Sequence, residues 1–231
     1  MRIVTLTSNA YVHCLPAFSY FFNKFYPNQQ VTVVRYDVRP PKLPDNFTNF
    51  AVGKQEDYSW SSGLKAFLNR IDDDLVLLML EDYWLDQPVD SETIQLIQDV
   101  METDKRIVKF DLTNDRLKVG HKPVNFGNMN IKVLQSNNDA PFTASVQAAI
   151  WRKDFLVKLL QSKEDAWEFE KNGSKRAEKI LNRTDSVILG CYNPPMSYVN
   201  AVGGMGNKPN EYDFKKIPRW MQEELESRSL I

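Results

Sequence analysis

Cysteine is scarce in this chain: only Cys14 and Cys191 occur in 231 residues, far apart and without metal-type spacing. That excludes a disulfide framework and a cysteine-based metal cluster, and it points to reduced thiols in a reducing compartment. The two histidines, His13 and His121, are isolated and read as surface or satisfied core residues. No serine or cysteine sits in a nucleophile-elbow pattern. Charge of one sign is missing as well. Lys and Arg number 29 against 30 Asp and Glu, so no global field draws the protein to nucleic acid or anionic membrane. No apolar run reaches the roughly 18 residues that span a bilayer. The first residues read at once as a strand, with no basic region leading into an apolar stretch and cleavage site, and the expectation is a cytoplasmic protein. Glycine is also low, at nine. None falls between Thr7 and Leu15, where a nucleotidyltransferase would place a phosphate loop after its first strand.

What is present is ordinary globular composition, 42% hydrophobic and 26% charged, in a length that suits one large domain or one domain with a trailing extension. Ile3 to Thr7 reads as a strand, and Pro16 suits a first helical position. Phe18, Phe21, Phe22 and Phe25 then recur on one helical face. Val31 to Tyr36 is a second strand, stopped by Arg39-Pro40-Pro41. Ser61 or Ser62 can cap a helix striped by Leu64, Phe67, Leu68 and Ile71. Asp90 starts another, with Ile94, Ile97 and Met101 inward. The order β-α-β-α-β-α predicts a mostly parallel sheet covered by helices. In the second half, Ile107 to Leu112 alternates, with Val108, Phe110 and Leu112 on one side. Val124 to Leu134 reads as a hairpin around Gly127-Asn128, and Val146 to Trp151 as a strand. Asp154 caps a short helix, and a last helix runs from about Pro218 to Ser227.

The most informative stretch is Leu75-Val76-Leu77-Leu78-Met79-Leu80 followed by Glu81-Asp82. Such an unbroken apolar run is a strand buried on both faces. Open α/β sheets bind ligands beyond the carboxyl ends of such strands. Two adjacent acids there point to a cation, a sugar hydroxyl or a proton; a helix cap or structural ion pair is the alternative. Asp72-Asp73-Asp74 matches a D-x-D string but precedes the strand, at the wrong edge, and reads as a solvated loop.

Three further segments are candidates. In Trp167-Glu168-Phe169-Glu170 aromatic and acid alternate, so an extended segment would set the rings on one face and the acids on the other. A carboxylate in such a partly apolar setting suits a general base; an amphipathic surface turn is the alternative. Lys171, Lys175, Arg176, Lys179 and Arg183 make a basic stretch, a phosphate site or a solvated helix face. Gly203-Gly204-Met205-Gly206 with Lys208 beyond is compatible with a lid over a diphosphate, or with an ordinary loop.

Taken together, Trp60-Ser61-Ser62-Gly63-Leu64, Leu80-Glu81-Asp82-Tyr83-Trp84-Leu85, Ser145-Val146-Gln147-Ala148-Ala149-Ile150-Trp151 and Trp167-Glu168-Phe169-Glu170 resemble GT-A-type glycosyltransferase-like proteins. These are found in bacterial surface-polysaccharide clusters and phage genomes. The resemblance implies a single α/β, GT-A-like (Rossmann-like) domain with a mostly parallel central sheet, a β-hairpin and a C-terminal helical extension. Residues 1–205 would form the nucleotide-sugar-binding catalytic domain, and 206–231 a loop and helix packed on it. It implies a donor, a UDP-sugar, held by Thr7, Ser8, Asn9, Tyr11 and Trp60, with Lys208 on the pyrophosphate. Glu81 and Asp82 would hold Mn²⁺ or Mg²⁺, with Asp82 also catalytic. Glu170 would be the base of an inverting transfer. Gln147 would line the acceptor pocket, with Lys175 and Arg176 as further acceptor contacts. The acceptor would be a saccharide, or a hydroxymethylated pyrimidine in phage DNA contacted by the basic stretch and by Lys215, Lys216 and Arg219. The family's D-x-D is replaced by adjacent acids. This leaves open a metal-independent enzyme using Lys208 and the basic stretch, and a non-catalytic nucleotide-binding scaffold.

Overall fold

A computed structural model describes residues 1–125, 131–202 and 211–231. The chain runs β1 (Arg2–Leu6), α1 (Leu15–Phe25), β2 (Val31–Arg35), β3 (Phe47–Ala51), α2 (Trp60–Leu68), β4 (Leu75–Leu80), β5 (Tyr83–Leu85) and α3 (Ser91–Thr103). It continues with β6 (Ile107–Asp111), β7 (His121–Val124), β8 (Val133–Ser136), β9 (Ala149–Arg152), α4 (Lys153–Leu159), α5 (Ala166–Leu181), β10 (Val187–Cys191), β11 (Tyr198–Asn200) and α6 (Arg219–Ser227). Nine strands form one sheet in the order β3-β2-β1-β4-β9-β6-β10-β8-β7, and β11 pairs with β5 in a small second sheet. Only β9 and β8 run against the other seven strands.

β4 explains why its sequence is apolar throughout. Leu75, Leu77 and Met79 face a core shared with Phe18, Phe21, Phe22, Ile94 and Ile97. Val76 and Leu78 face a second core with Leu64, Phe67, Phe155, Leu156 and Phe169. Helices α1, α3 and α6 therefore cover one face, and α2, α4 and α5 the other. A strand covered on both sides has no polar positions to offer. α6 is anchored to α1 by Met221 and Leu225, both fully buried, and by Glu224, which receives Tyr20 and Lys24.

Helix starts follow local chemistry. Asp90 caps α3 through the Thr93 amide at 3.0 Å, as expected. The cap of α2 is Ser59 rather than Ser61 or Ser62. Its hydroxyl accepts from the Ser62 amide and Ser62 bonds back to the Ser59 amide, a reciprocal capping box. Gly63 permits a close approach: a Cβ there would lie 2.6 Å from the Tyr36 hydroxyl, which instead donates to the Ser59 carbonyl at 3.1 Å. Asp154 lies inside the first turn of α4, whose cap is Arg152.

Other differences are informative. β3 was not expected. It is an edge strand whose residues after Phe47 are mostly exposed, so it carries no apolar stripe. β9 begins at Ala149, three residues later than expected, and runs antiparallel between β4 and β6. β7 and β8 pair antiparallel where the hairpin was expected, but Gly127-Asn128 lies outside the described residues. Trp167 to Glu170 is not extended. It lies at the start of α5, which is capped by Asp165, whose carboxylate accepts the Glu168 amide at 2.7 Å while Glu168 accepts the Asp165 amide. Cys14 and Cys191 are both buried and unpaired. No helix among the described residues is long and apolar enough to cross a membrane.

Candidate functional site

The chain passes from β1 outward to β2 and β3, then returns to place β4 on the other side of β1. The carboxyl ends of β1 and β4 thus flank a topological switch point, where open α/β sheets hold ligands. A cavity of about 830 Å³ opens there, within the roughly 300–1,000 Å³ of small-molecule sites. Ser8 and Tyr11 reach it from the loop after β1, and Glu81 and Asp82 from the end of β4. Trp60 comes from the start of α2, Glu168 from the first turn of α5 and Glu170 from the turn after it, and Gln147 from the segment before β9.

Glu81 and Asp82 are 5% and 7% exposed, line the cavity, and have no ion-pair partner among the described residues. Burial raises the Glu81 carboxyl well above its usual range, with Asp82 adding to it, while the Thr7 hydroxyl and Ser8 amide offset part of the shift. Burial pushes Asp82 up to about 7. The Tyr11 phenol is raised first by burial and then by these two acids. Two buried carboxylates without a cationic partner among the described residues are a donor set that fits a hard divalent ion completed by phosphate oxygens. They do not make a complete metal site alone, since no group of three or more His, Cys, Asp or Glu side chains does so among the described residues.

Glu170 lines the same cavity. Burial raises it, and the Val146 amide, donating to Oε1 at 2.8 Å, works against the shift. The segment that carries Val146 rests on a buried charge cluster. Lys109 Nζ lies 2.8 Å from Asp111 Oδ1 and donates to the carbonyls of Thr143 and Ser145 at 3.1 and 3.0 Å. Arg116 Nε donates to Asp111 Oδ2 at 2.8 Å. Burial alone would raise Asp111, but Lys109 and Arg116 hold it below the usual carboxylate range. Gln147 Nε2 donates to the Tyr83 hydroxyl at 3.2 Å, and Tyr83 stacks on Tyr198 with centroids 4.2 Å apart.

Of the residues singled out in the sequence, Ser8, Tyr11, Trp60, Glu81, Asp82, Gln147 and Glu170 meet around this one cavity. Thr7 is fully buried and does not line it. Asn9 is absent from the lining because its side chain is committed elsewhere: it donates to Asp37 at 2.9 Å and accepts the Val38 amide at 3.3 Å. Lys175 is exposed on α5 and Arg176 is paired with Glu164 at 2.5 Å; neither lines the cavity. Lys208 and the glycines before it lie outside the described residues. Asp72, Asp73 and Asp74 precede β4, and Asp73 pairs with Arg2 at 2.7 Å.

Sequence reasoning missed Tyr58, Asp115, Phe142 and Asn200, which also line the cavity. Tyr58 and Phe142 stand in loops, Asp115 in a short 3-10 helix over Asn114–Lys118 and Asn200 at a strand end, and they belong to no spacing pattern. The capping box Asp165-Ala166-Trp167-Glu168 was a usable signal that Glu170 sits in a helix.

No protein-family model matches the chain, and no curated protein matches it. Solved structures do. S. aureus TarS 1-349 in complex with UDP-GlcNAc matches at TM-score 0.53 and 12% identity, over 97% of this chain and 66% of that one. TarS 1-349 in complex with UDP matches at TM-score 0.51 and 12% identity, over 85% and 59%. TarS 1-349 alone matches at TM-score 0.50 and 10% identity, over 85% and 59%. The chain thus spans 59% to 66% of the length of these structures. At such identity the likeness concerns the fold: an α/β, GT-A-like domain built on a central sheet in which most strands run one way.

Proposed function

We propose that the protein is a glycosyltransferase that moves a sugar from a nucleotide-sugar donor to an acceptor hydroxyl. One observation carries the reading. Two buried carboxylates with no ion-pair partner among the described residues, and a third on α5, surround one cavity at the switch point of a GT-A-like sheet. The TarS structures bound to UDP and UDP-GlcNAc share this fold, which supports a UDP-sugar as donor.

Ser8, Tyr11 and Trp60 would hold the nucleotide on the β1 side of the cavity. Glu81 and Asp82 would hold Mg²⁺ or Mn²⁺ together with the donor diphosphate. When bound, that ion neutralises charge on the diphosphate leaving group. The electrostatics favour such an ion. Among the described residues the lining carries six carboxylates (Glu81, Asp82, Asp115, Asp165, Glu168, Glu170) against one ammonium, Lys163. Once ionised, that wall would repel an anionic donor unless a cation lay between them.

The acceptor hydroxyl oxygen attacks the anomeric carbon as the bond to the diphosphate oxygen breaks. The electron pair leaves with the nucleoside diphosphate, and the hydroxyl proton passes to Glu170. One base on the acceptor side, with no second nucleophile assigned, supports inversion. The acidic lining and the distance of Lys175 and Arg176 from it favour a saccharide over a DNA acceptor.

The test is turnover. Wild type and Asp82→Asn are incubated with a panel of nucleotide sugars, Mn²⁺ and saccharide acceptors, and nucleotide release is measured. Release by wild type that Asp82→Asn loses supports the reading. Tight nucleotide binding without release on any acceptor points instead to a non-catalytic nucleotide-binding protein.

A further inference from the structure

Six large hydrophobic side chains are exposed among the described residues, and two of them, Phe142 and Trp167, border the cavity. They are 42% and 45% exposed. Both are tied to Glu170, one along its helix and one through a hydrogen bond. Trp167 lies three residues before it on α5, hence on the same side of the helix. Phe142 begins the segment whose Val146 amide bonds the Glu170 carboxylate.

Phe142 also has an unusual backbone, with φ of 55°. The left-handed region is an outlier for a bulky residue and persists only where the surroundings impose it. Here the Ser145 amide returns to the Phe142 carbonyl at 2.9 Å, and the Ala144 amide donates to Ser174 Oγ of α5 at 3.0 Å. The turn is thus clamped to the helix that bears Glu170, and its ring is left in the open.

We infer that Phe142 and Trp167 form an acceptor subsite that stacks on the C–H face of a pyranose ring at the mouth of the cavity. Aromatic faces attract the polarised C–H edge of a ring while leaving its hydroxyls free. Gln147 and Asn200, in the same lining, supply amide partners for those hydroxyls. A base in a DNA strand could stack on the same rings, but it would bring phosphates to a wall of carboxylates. The inference rests on the glycosyltransferase reading of this cavity and names the class of acceptor.

The test uses methyl pyranosides of glucose, galactose, mannose and N-acetylglucosamine as probes, with saturation-transfer NMR on the full chain in the presence of UDP and Mg²⁺. Trp167→Ala substitutes a good helix former at an exposed site. Phe142→Gly removes the ring at a φ that glycine accepts without strain, so both variants keep their fold. At least one pyranoside is expected to bind wild type through its ring C–H protons, and each variant to weaken that binding about fivefold, with UDP affinity unchanged. Failure of every pyranoside to bind wild type overturns the inference. So does binding indifferent to both substitutions, or binding only of an oligonucleotide carrying 5-hydroxymethylcytosine. Ring-dependent pyranoside binding by a protein that binds neither UDP nor UDP-sugars would sink the glycosyltransferase reading while leaving the saccharide subsite standing.

Discussion

The Val146 backbone amide donates to Glu170 Oε1 at 2.8 Å, so a loop before β9 fixes the orientation of a carboxylate on α5. That bond uses one oxygen of a side chain that lines the cavity. In Glu170→Gln the side-chain carbonyl can still accept it, so geometry survives while the base is lost. Transfer is expected to fall by about 10²–10⁴, with donor affinity close to wild type and cooperative unfolding retained. Unchanged turnover would remove Glu170 from the mechanism.

Burial raises the folded-state pKa of Glu170. The folded chain therefore keeps this proton after the unfolded chain has lost it. The group favours folding below its unfolded value of about 4.3, and that contribution is lost as pH rises through the folded value. Glu170→Gln has no such charge to bury. Its midpoint relative to wild type is expected to climb as pH rises above the unfolded value and to level off once pH passes the raised folded value. A constant difference across that range would contradict the shift. Transfer by wild type should also fall on the acid side at a pH above the ordinary glutamate range, because only the ionised carboxylate accepts the proton.

Lys109 is fully buried with Asp111 and Arg116. Breaking such a cluster from one side leaves charge without its partner, at a cost of about 3–5 kcal/mol. Lys109→Met is expected to lower the unfolding midpoint by about 10 °C, and to loosen the turn whose carbonyls Lys109 holds. A shift within about 1 °C would mean the cluster contributes little.

Glu81 and Asp82 lack a cationic partner among the described residues. Mn²⁺ with UDP is expected to raise the unfolding midpoint of wild type more than UDP alone, since a ligand that binds only the folded state stabilises it. Asp82→Asn should lose the increment due to Mn²⁺. An equal Mn²⁺ effect in both proteins would put the ion elsewhere.

Much of this was legible in the sequence because it depends on burial on both faces of one strand. Leu75 to Leu80 could only be a central strand, and Glu81-Asp82 could only leave it at the ligand-binding edge. The aromatic stripe of α1 and the apolar stripes of α2 and α3 were equally plain. Lys109 and Asp111 were not. They alternate with Val108 and Phe110 as residues of a solvent face would, and they are buried only because Arg116 and the 143–145 carbonyls satisfy them. β3 was hidden for the opposite reason: an edge strand with one buried residue carries no period to read. Thr7 and Asn9 were assigned by their place after β1, yet Asn9 braces the loop after β2 instead of facing the cavity. Phe142 and Trp167 follow no spacing rule, since what unites them is a turn clamped to a helix far along the chain.

The most direct measurement is a crystal structure of the full chain soaked with a panel of UDP-sugars and Mn²⁺. The account predicts nucleotide density beside Ser8, Tyr11 and Trp60, with the diphosphate against Glu81 and Asp82 and the sugar turned toward Glu170. Donor density at another site, or a nucleotide in this cavity whose diphosphate lies away from both acids, would contradict it.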